Sequence, residues 1–496
     1  MQILRHVHFV GIGGIGMSGI ARILLEMGYQ VSGSDLRESP MTKRLQEYGI
    51  QVFIGHESSN IDSSDAIVVS SAIPATNPEV IEAAKKKIPV LQRAEMLGYL
   101  MQSKSGIAIA GTHGKTTTTS MVATILEKNS LDPTVVIGGE LNDIGSNAKL
   151  GKGAHLVAEA DESDASFLKL YPYIAIVTNI DVDVNLNAEA FAVANFDYNK
   201  TLALVKKAFR GFINNIPPKG WAIVCTDNEA VRELRPDIGC NVLTYGFEGM
   251  PDLTAKNLLF KESNSSADVY FKGEYLGKMS LNVPGKHNIL NALAAIGAAL
   301  KTGIAFSDII TALSEFHGVK RRFQIIGIEQ DIIVVDDYAH NPAKISATLS
   351  AARSGWSRRV VAVFQPHRYT RTKFLKEEFA KSFENADLII VTEIYAAGEC
   401  PIVGVKAKRL AELIRAENPG KKVVFISTKD ETISYLLSNV KPGDLVVTLG
   451  AGDIFQVAKH LVEDLTKLNG KSFVPATLPI TPGPSIEHAP SMEATG

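Results

Sequence analysis

The chain has little cysteine, little net charge and no long apolar run. Among its 496 residues only Cys225, Cys240 and Cys400 are cysteines, and they are widely spaced. They match no metal or redox spacing, so a disulfide framework is not expected and a reducing compartment is. The formal net charge is −2. That removes any electrostatic basis for broad nucleic-acid or membrane binding, although loops and single basic side chains can still hold small anions. No apolar stretch approaches the ~20 residues that span a bilayer. The N-terminus, Met1-Gln2-Ile3-Leu4-Arg5-His6, has no charge-then-apolar leader pattern. The expectation is a cytoplasmic protein without nucleic-acid or membrane partners.

What is present is length and alternation. At roughly 150 residues per domain the chain has room for about three. Strand-like and helix-like segments alternate through most of it, which predicts an α/β class with parallel sheets. The pattern gives a strand near 6–10, a helix near 15–28 and a helix at 93–101 that ends near 103–105. A second unit opens with a strand at 106–111 and a helix at 115–128, and turns to short alternating strands between 242 and 283. The run Ala267–Tyr275 reads as a hairpin turning at Lys272-Gly273. A third unit alternates from a strand at 332–336 to a helix at 453–466, with a helix expected at 373–383. Past Gly470 the chain is proline-rich without apolar periodicity and reads as a disordered tail, 469–496.

Two glycine-rich loops each follow an apolar strand. In the first, Gly11, Gly13 and Gly16 form G-x-G-x-x-G between strand and helix. Such glycines let the backbone turn tightly and approach a diphosphate at a helix N-terminus. Asp35 lies 24 positions after Gly11, where a ribose-binding acid is expected. A tight packing turn would use the same glycines, and the motif alone does not identify a ligand. The second loop is Gly111-Thr112-His113-Gly114-Lys115-Thr116-Thr117, with Ile109 where the usual phosphate loop has its first glycine. Lys115 is placed for β/γ-phosphates and the Thr116 hydroxyl for Mg²⁺. One loop suits a diphosphate and the other a triphosphate with magnesium, which points to an ATP-driven enzyme.

Gly111-Thr112-His113-Gly114-Lys115-Thr116-Thr117-Thr118 resembles the ATP loop of the Mur ligase family, the amino-acid-adding enzymes of bacterial cell-wall precursor synthesis. Further stretches agree: Glu159–Phe167, Asn282–Asn288, Arg321-Arg322-Phe323, Asp336–His340 and Gly450–Asp453. Gly11–Ala21, Phe364–Thr372 and Tyr395–Glu399 narrow the resemblance to the branch that adds L-alanine to UDP-N-acetylmuramate. The implied fold is α/β in three domains. These are a Rossmann-like UDP-substrate domain over 1–103, a central P-loop ATPase-like domain with a mainly parallel sheet over 104–320, and a Rossmann-like C-terminal domain over 321–468.

The resemblance also implies roles. The substrate carboxylate attacks the γ-phosphate of ATP, and the amine of L-alanine then attacks the acyl phosphate. Gly111, Thr112, His113, Gly114, Lys115, Thr116 and Thr117 would hold ATP, with Asn288 and Asn291 at the adenine and Arg322, Asp337 and His340 closing from the third domain. Lys115, Arg322, His340 and His367 would serve catalysis. Thr116 and Glu159 would hold Mg²⁺, both being hard oxygen donors. Gly11, Gly13, Gly14, Ile15, Gly16, Ser18, Asp35, Ser70 and Ser71 would hold the UDP substrate, and His367, Arg368 and Arg371 its anionic parts or the alanine carboxylate. A monomer or homodimer is implied.

The match breaks chiefly in one place, with a smaller departure at Asn341, where a second histidine is often found in this branch. Where the family carries a histidine ligand for a second magnesium, the run is Asn179-Ile180-Asp181-Val182-Asp183-Val184, and valine cannot bind metal. Either Asp181, Asp183 or a displaced side chain takes over, or the chain binds ligands but catalyses poorly. The related branch that adds a ready-made peptide is a further alternative. A nicotinamide dehydrogenase would leave 111–119 unexplained.

Overall fold

A computed structural model of the protein describes residues 4–70, 72–138, 148–162, 165–182 and 198–468. The expected tail, Ser71, Asp183 and Val184 lie outside the described residues. Three sheets follow one another along the chain.

The first has the order β3-β2-β1-β4-β5 and is parallel throughout. Its strands are β1 (His6–Val10), β2 (Gln30–Asp35), β3 (Gln51–Ile54), β4 (Ala66–Val69) and β5 (Val90–Gln92). β1 and β4 are buried along their whole length, as expected when both faces of a parallel sheet are covered. β1 lies between β2 and β4, so the chain leaving it emerges where the strand order reverses, a place where α/β sheets bind ligands.

The second sheet has ten strands in the order β15-β14-β13-β12-β11-β10-β6-β9-β7-β8. They are β6 (Ser105–Ala110), β7 (Thr134–Val136), β8 (Ala148–Lys149), β9 (His155–Glu159), β10 (Ile174–Val177), β11 (Trp221–Cys225), β12 (Asn241–Tyr245), β13 (Leu253–Lys261), β14 (Asn264–Phe271) and β15 (Glu274–Leu281). The centre is parallel, whereas β13, β14 and β15 pair antiparallel, as do β7 and β8. β14 and β15 form the expected hairpin, turning at Lys272 (φ 49°) and Gly273 (φ 88°). Helices Lys115–Lys128 and Lys286–Lys301 pack together over this sheet.

The third sheet runs β16-β17-β21-β18-β19-β20. Its strands are β16 (Gln324–Glu329), β17 (Ile332–Asp337), β18 (Arg359–Phe364), β19 (Leu388–Val391), β20 (Lys422–Phe425) and β21 (Asp444–Leu449). Only β16, at the edge, is antiparallel. The helix expected over 373–383 is two short helices, Tyr369–Phe374 and Lys376–Lys381, because Leu375 at φ −112° and ψ 23° leaves helical geometry. Short helices at Pro40–Glu47 and Pro78–Lys86 escaped the periodicity reading. Each starts with proline after a capping Ser39 or Asn77, a local signal that needs no long apolar pattern.

Candidate active site

The second loop leaves the end of β6 and runs into the helix Lys115–Lys128. Gly111 has φ 135°, and a Cβ there would meet Thr178 Oγ1 at 2.0 Å. Gly114 has φ 83°, and a Cβ there would meet Asn291 Oδ1 at 2.5 Å. Both positions therefore require glycine for close backbone approach. The loop is tied from below: His113 N donates to Asn179 Oδ1 at 2.8 Å, and Thr178 Oγ1 donates to the His113 carbonyl at 2.6 Å. Lys115 Nζ folds back to donate to the Gly111 carbonyl at 2.7 Å and to Glu162 Oε2 at 2.6 Å. Burial opposes its charge, but Glu162 and Asp161 outweigh that cost and hold the ammonium above its ordinary pKa.

The loop forms one wall of a cavity of about 300 Å³, into which Thr112, His113, Gly114, Lys115, Thr116 and Thr117 all face. Opposite stand Asn288 and Asn291, one turn apart and buried, with Asn291 Nδ2 donating to Asn288 Oδ1 at 3.3 Å. Arg322 and Asp337 close the cavity from the third sheet. The Asp337 carboxylate accepts from Phe323 N at 2.8 Å and Ala339 N at 2.7 Å. Burial pushes its carboxyl up, against the pull of Arg322. His287 lines the same cavity and was missed at the sequence level. Burial, with Arg322 nearby, lowers its pKa to about 4, so it stays neutral.

The first loop is built differently. Gly11 N and Ile12 N both donate to the Ser34 carbonyl, at 2.8 and 2.9 Å. Asp35 was expected to meet a ribose. Its Oδ2 accepts from Gly13 N at 2.9 Å, and it is not among the residues lining the adjoining cavity. Ser18 is buried, its N–H donating to the Gly14 carbonyl. Beneath the loop, fully buried Glu79 accepts from Ser34 Oγ at 2.7 Å and Asn60 Nδ2 at 2.6 Å. Burial pushes the Glu79 carboxyl up, yet bonds from His8, Ser34 and Asn60 outweigh it and hold the group below its ordinary value.

A cavity of about 270 Å³ joins Gly11, Gly14, Gly16 and Ser70 to Arg93, Glu159 and Asp161. The end of β9, beside the second loop's strand, thus meets the first loop. Arg93 is a residue that sequence reasoning missed. It opens the helix Arg93–Gln102, and its Nη1 lies 3.0 Å from where a Cβ on Gly16 would stand. A basic side chain directly after a strand was the available signal.

A third group gathers after β17 and β18. His340 Nδ1 lies 2.7 Å from the Tyr338 carbonyl. A carbonyl only accepts, so Nδ1 carries the proton and Nε2 the lone pair. Burial pushes the His340 pKa well below the ordinary imidazole value, with Lys344 and Arg371 adding to it. Arg371 is 1% exposed, and its Nη1 approaches His367 Nδ1 at 3.1 Å. Arginine only donates, so His367 bears its proton on Nε2. The rings lie 5.9 Å apart, and His367 stacks on Tyr395 at 5.5 Å. His340 thus offers an acceptor at Nε2 beside the His367 ring. Neither His340 nor His367 lines the phosphate-loop cavity, whereas Asn341 Nδ2 reaches within 3.5 Å of His113 Nδ1.

Comparison with known proteins follows this three-part layout. The Mur ligase family catalytic domain matches residues 6–105, the Mur ligase middle domain 109–299, and the Mur ligase glutamate ligase domain 321–452. The chain belongs to the Mur ligase family. This Mur ligase is 52% identical over 462 residues to UDP-N-acetylmuramate–L-alanine ligase of Geotalea daltonii, an alignment covering 93% of this chain and 98% of that protein. The crystal structure of UDP-N-acetylmuramate-alanine ligase from Thermotoga maritima superposes with TM-score 0.75 at 30% identity, covering 94% and 100% of the two chains. A murein peptide ligase from Psychrobacter arcticus gives TM-score 0.65 at 26% identity, covering 93% and 98%.

Among the described residues, this Mur ligase has no cluster of three or more His, Cys, Asp or Glu arranged for a metal. Magnesium at a nucleotide site needs fewer, because phosphates and waters complete its octahedron. Glu159 fits that requirement. Its Oε2 is fixed by Gly138 N at 3.0 Å, while Oε1 is buried without a hydrogen-bond partner. Thr116 lines the phosphate-loop cavity beside Lys115. Asp181, a candidate substitute ligand, already accepts from Tyr198 Oη at 2.8 Å. No helix among the described residues is long and apolar enough to cross a membrane.

Proposed function

We propose that this Mur ligase joins L-alanine to the carboxylate of UDP-N-acetylmuramate at the expense of ATP, in peptidoglycan precursor synthesis. The observation that carries the reading is the cavity in which the first loop meets Glu159 and Asp161, beside the strand that bears the second loop. A substrate whose diphosphate lies on Gly11–Gly16 extends from there toward the triphosphate end of ATP.

The chemistry is phosphoryl transfer followed by acyl transfer. A carboxylate oxygen attacks the γ-phosphorus, and the β–γ bridge breaks to release ADP. The alanine nitrogen then attacks the acyl carbon, loses a proton and expels phosphate. Lys115 must leave Glu162 for the transferring phosphate and offset its charge, since such transfers depend on positioning and charge neutralisation. Mg²⁺ held by Thr116 and Glu159 would add charge neutralisation at the same phosphates. Arg93 meets the UDP diphosphate, a role in which a guanidinium fork is effective. Asn288 and Asn291 hold the adenine side, and Arg322 closes over the nucleotide. His367, Arg368 and Arg371 receive the alanine carboxylate, while the His340 Nε2 lone pair accepts from its amine. Closure of the third domain keeps water from the acyl phosphate.

Phosphate release with ATP, UDP-N-acetylmuramate and single amino acids tests the reading. Turnover with L-alanine is expected. Turnover with a tripeptide and none with alanine would replace it with the peptide-adding reading. A Val184→His variant measured beside the wild type addresses the second metal. A large gain over a feeble wild type would identify the natural chain as an impaired enzyme.

A further inference from the structure

One acidic side chain near the third group has no role in the reaction so far. Glu399 ends a tight turn in which its own N–H donates to the Ala396 carbonyl at 3.0 Å. Ala397 and Gly398 in that turn have φ 49° and 85°. The Glu399 carboxylate reaches across to the segment after β18. Thr370 N donates to Oε2 at 3.0 Å and Thr370 Oγ1 donates to Oε1 at 2.6 Å. Arg368 Nη1 stands 3.5 Å from Oε1.

These bonds answer two local needs. The helix Tyr369–Phe374 has no side-chain cap of its own at Arg368, and Glu399 supplies acceptors to its first turn from another element. Arg368 sits at φ 73°, a left-handed conformation disfavoured for any residue with a Cβ, so its surroundings must hold it there. Arg368 N donates to the Tyr395 carbonyl and Tyr395 N to the Pro366 carbonyl, each at 2.8 Å. The segment 395–399 thus grips 366–370 twice, through a backbone bridge at one end and a carboxylate at the other. Between the two grips lies His367, stacked on Tyr395 and touched by buried Arg371.

We propose that Glu399 is a positioning residue for the amino-acid half-site. It fixes the aim of Arg368 and the turn carrying His367, so that the carboxylate of a small amino acid meets a preset group of donors. A free arginine has many rotamers to lose on binding, and a fixed one has lost them beforehand. The inference rests on the reading above that residues 367–371 receive the amino acid.

Steady-state kinetics on the full chain test it. Glu399→Gln keeps shape and one good acceptor but removes the charge, and Glu399→Ala removes both. The KM for L-alanine is expected to rise about tenfold in Glu399→Gln and further in Glu399→Ala, as for a lost charge-assisted bond. The KM values for ATP and UDP-N-acetylmuramate and the melting temperature of Glu399→Gln should stay at wild-type levels. An unchanged alanine KM in Glu399→Gln, with alanine-dependent turnover intact, would overturn the proposal alone. A parallel rise in all three KM values with a lowered melting temperature would also overturn it, by marking a merely structural role. Wild-type phosphate release that ignores alanine would overturn the parent reading, and this inference with it.

Discussion

The two phosphate loops share a strand–glycine–helix plan and differ in where their charge comes from. The first loop has no cation of its own. Its amides are held by the Ser34 carbonyl and by Asp35, and its basic partner, Arg93, arrives from a helix some eighty residues on. The second loop carries Lys115 at its own helix start and keeps it paired to Glu162. A fixed cradle suits a group that is bound and left intact. A lysine held against a carboxylate suits a phosphate that must be met and then released, because the ammonium has an alternative partner before and after transfer.

That contrast can be broken experimentally, most severely at Lys115. Lys115→Ala should lower kcat by about 10²–10³-fold, the usual loss for one transition-state charge donor, with little change in the KM for UDP-N-acetylmuramate. Phosphate-release kinetics would show it, and a mainly KM effect would erase the distinction between the loops. Arg93→Ala should do the reverse, raising the KM for the UDP substrate about tenfold while kcat holds. Isothermal titration with UDP alone gives an independent reading of the same change.

Acidification should separate the loops by stability. His287 and His340, both in the second half of the site, have folded pKa values below the ordinary imidazole value. Below about 6.5 the unfolded chain binds protons that these folded sites refuse, so stability falls as pH drops from there toward about 4 for His287. Glu79 under the first loop has a lowered carboxyl pKa. Its contribution is complete above about 4.5 and lost only as pH falls through the folded value. Melting curves at pH 7 and pH 5 should therefore register the histidines and not Glu79, and His287→Asn should flatten that difference. The smallest effect is expected from Asp35→Asn. The amide still accepts from Gly13 N, so the KM for the UDP substrate should rise only about two- to fivefold.

Much of the site was legible because phosphate chemistry leaves local marks. Gly111, Gly114, Lys115 and Thr116 are adjacent in sequence, and their helix start is decided within a few residues. Asn288 and Asn291 are likewise one turn apart on a single helix. Arg93 and His287 were missed because each acts by facing a loop far away in the chain, and a basic side chain after a strand was the one local signal for Arg93. Asp35 shows a contact that spacing alone does not reveal. Its spacing from Gly11 points to a ribose contact, and the structure adds that its carboxylate accepts from Gly13 N within the loop itself. The break at Leu375 had no apolar signature either, since Leu375 is itself buried, like Thr372 before it and Phe379 after it.

Sequence by itself determined the alternation of the main strands and helices, the two glycine loops and the residue types that handle phosphate, because these depend on side-chain pattern over a turn or two. Tertiary structure decided which groups confront one another. It set Glu162 against Lys115, Glu159 against the first loop, and Glu399 against Thr370 and Arg368. It also fixed the proton positions on His340 and His367, through a carbonyl in one case and a buried arginine in the other. The physical reason is range. Backbone preference and amphipathic period act between near neighbours, whereas burial and charge pairing act between segments that only the packed sheets bring together.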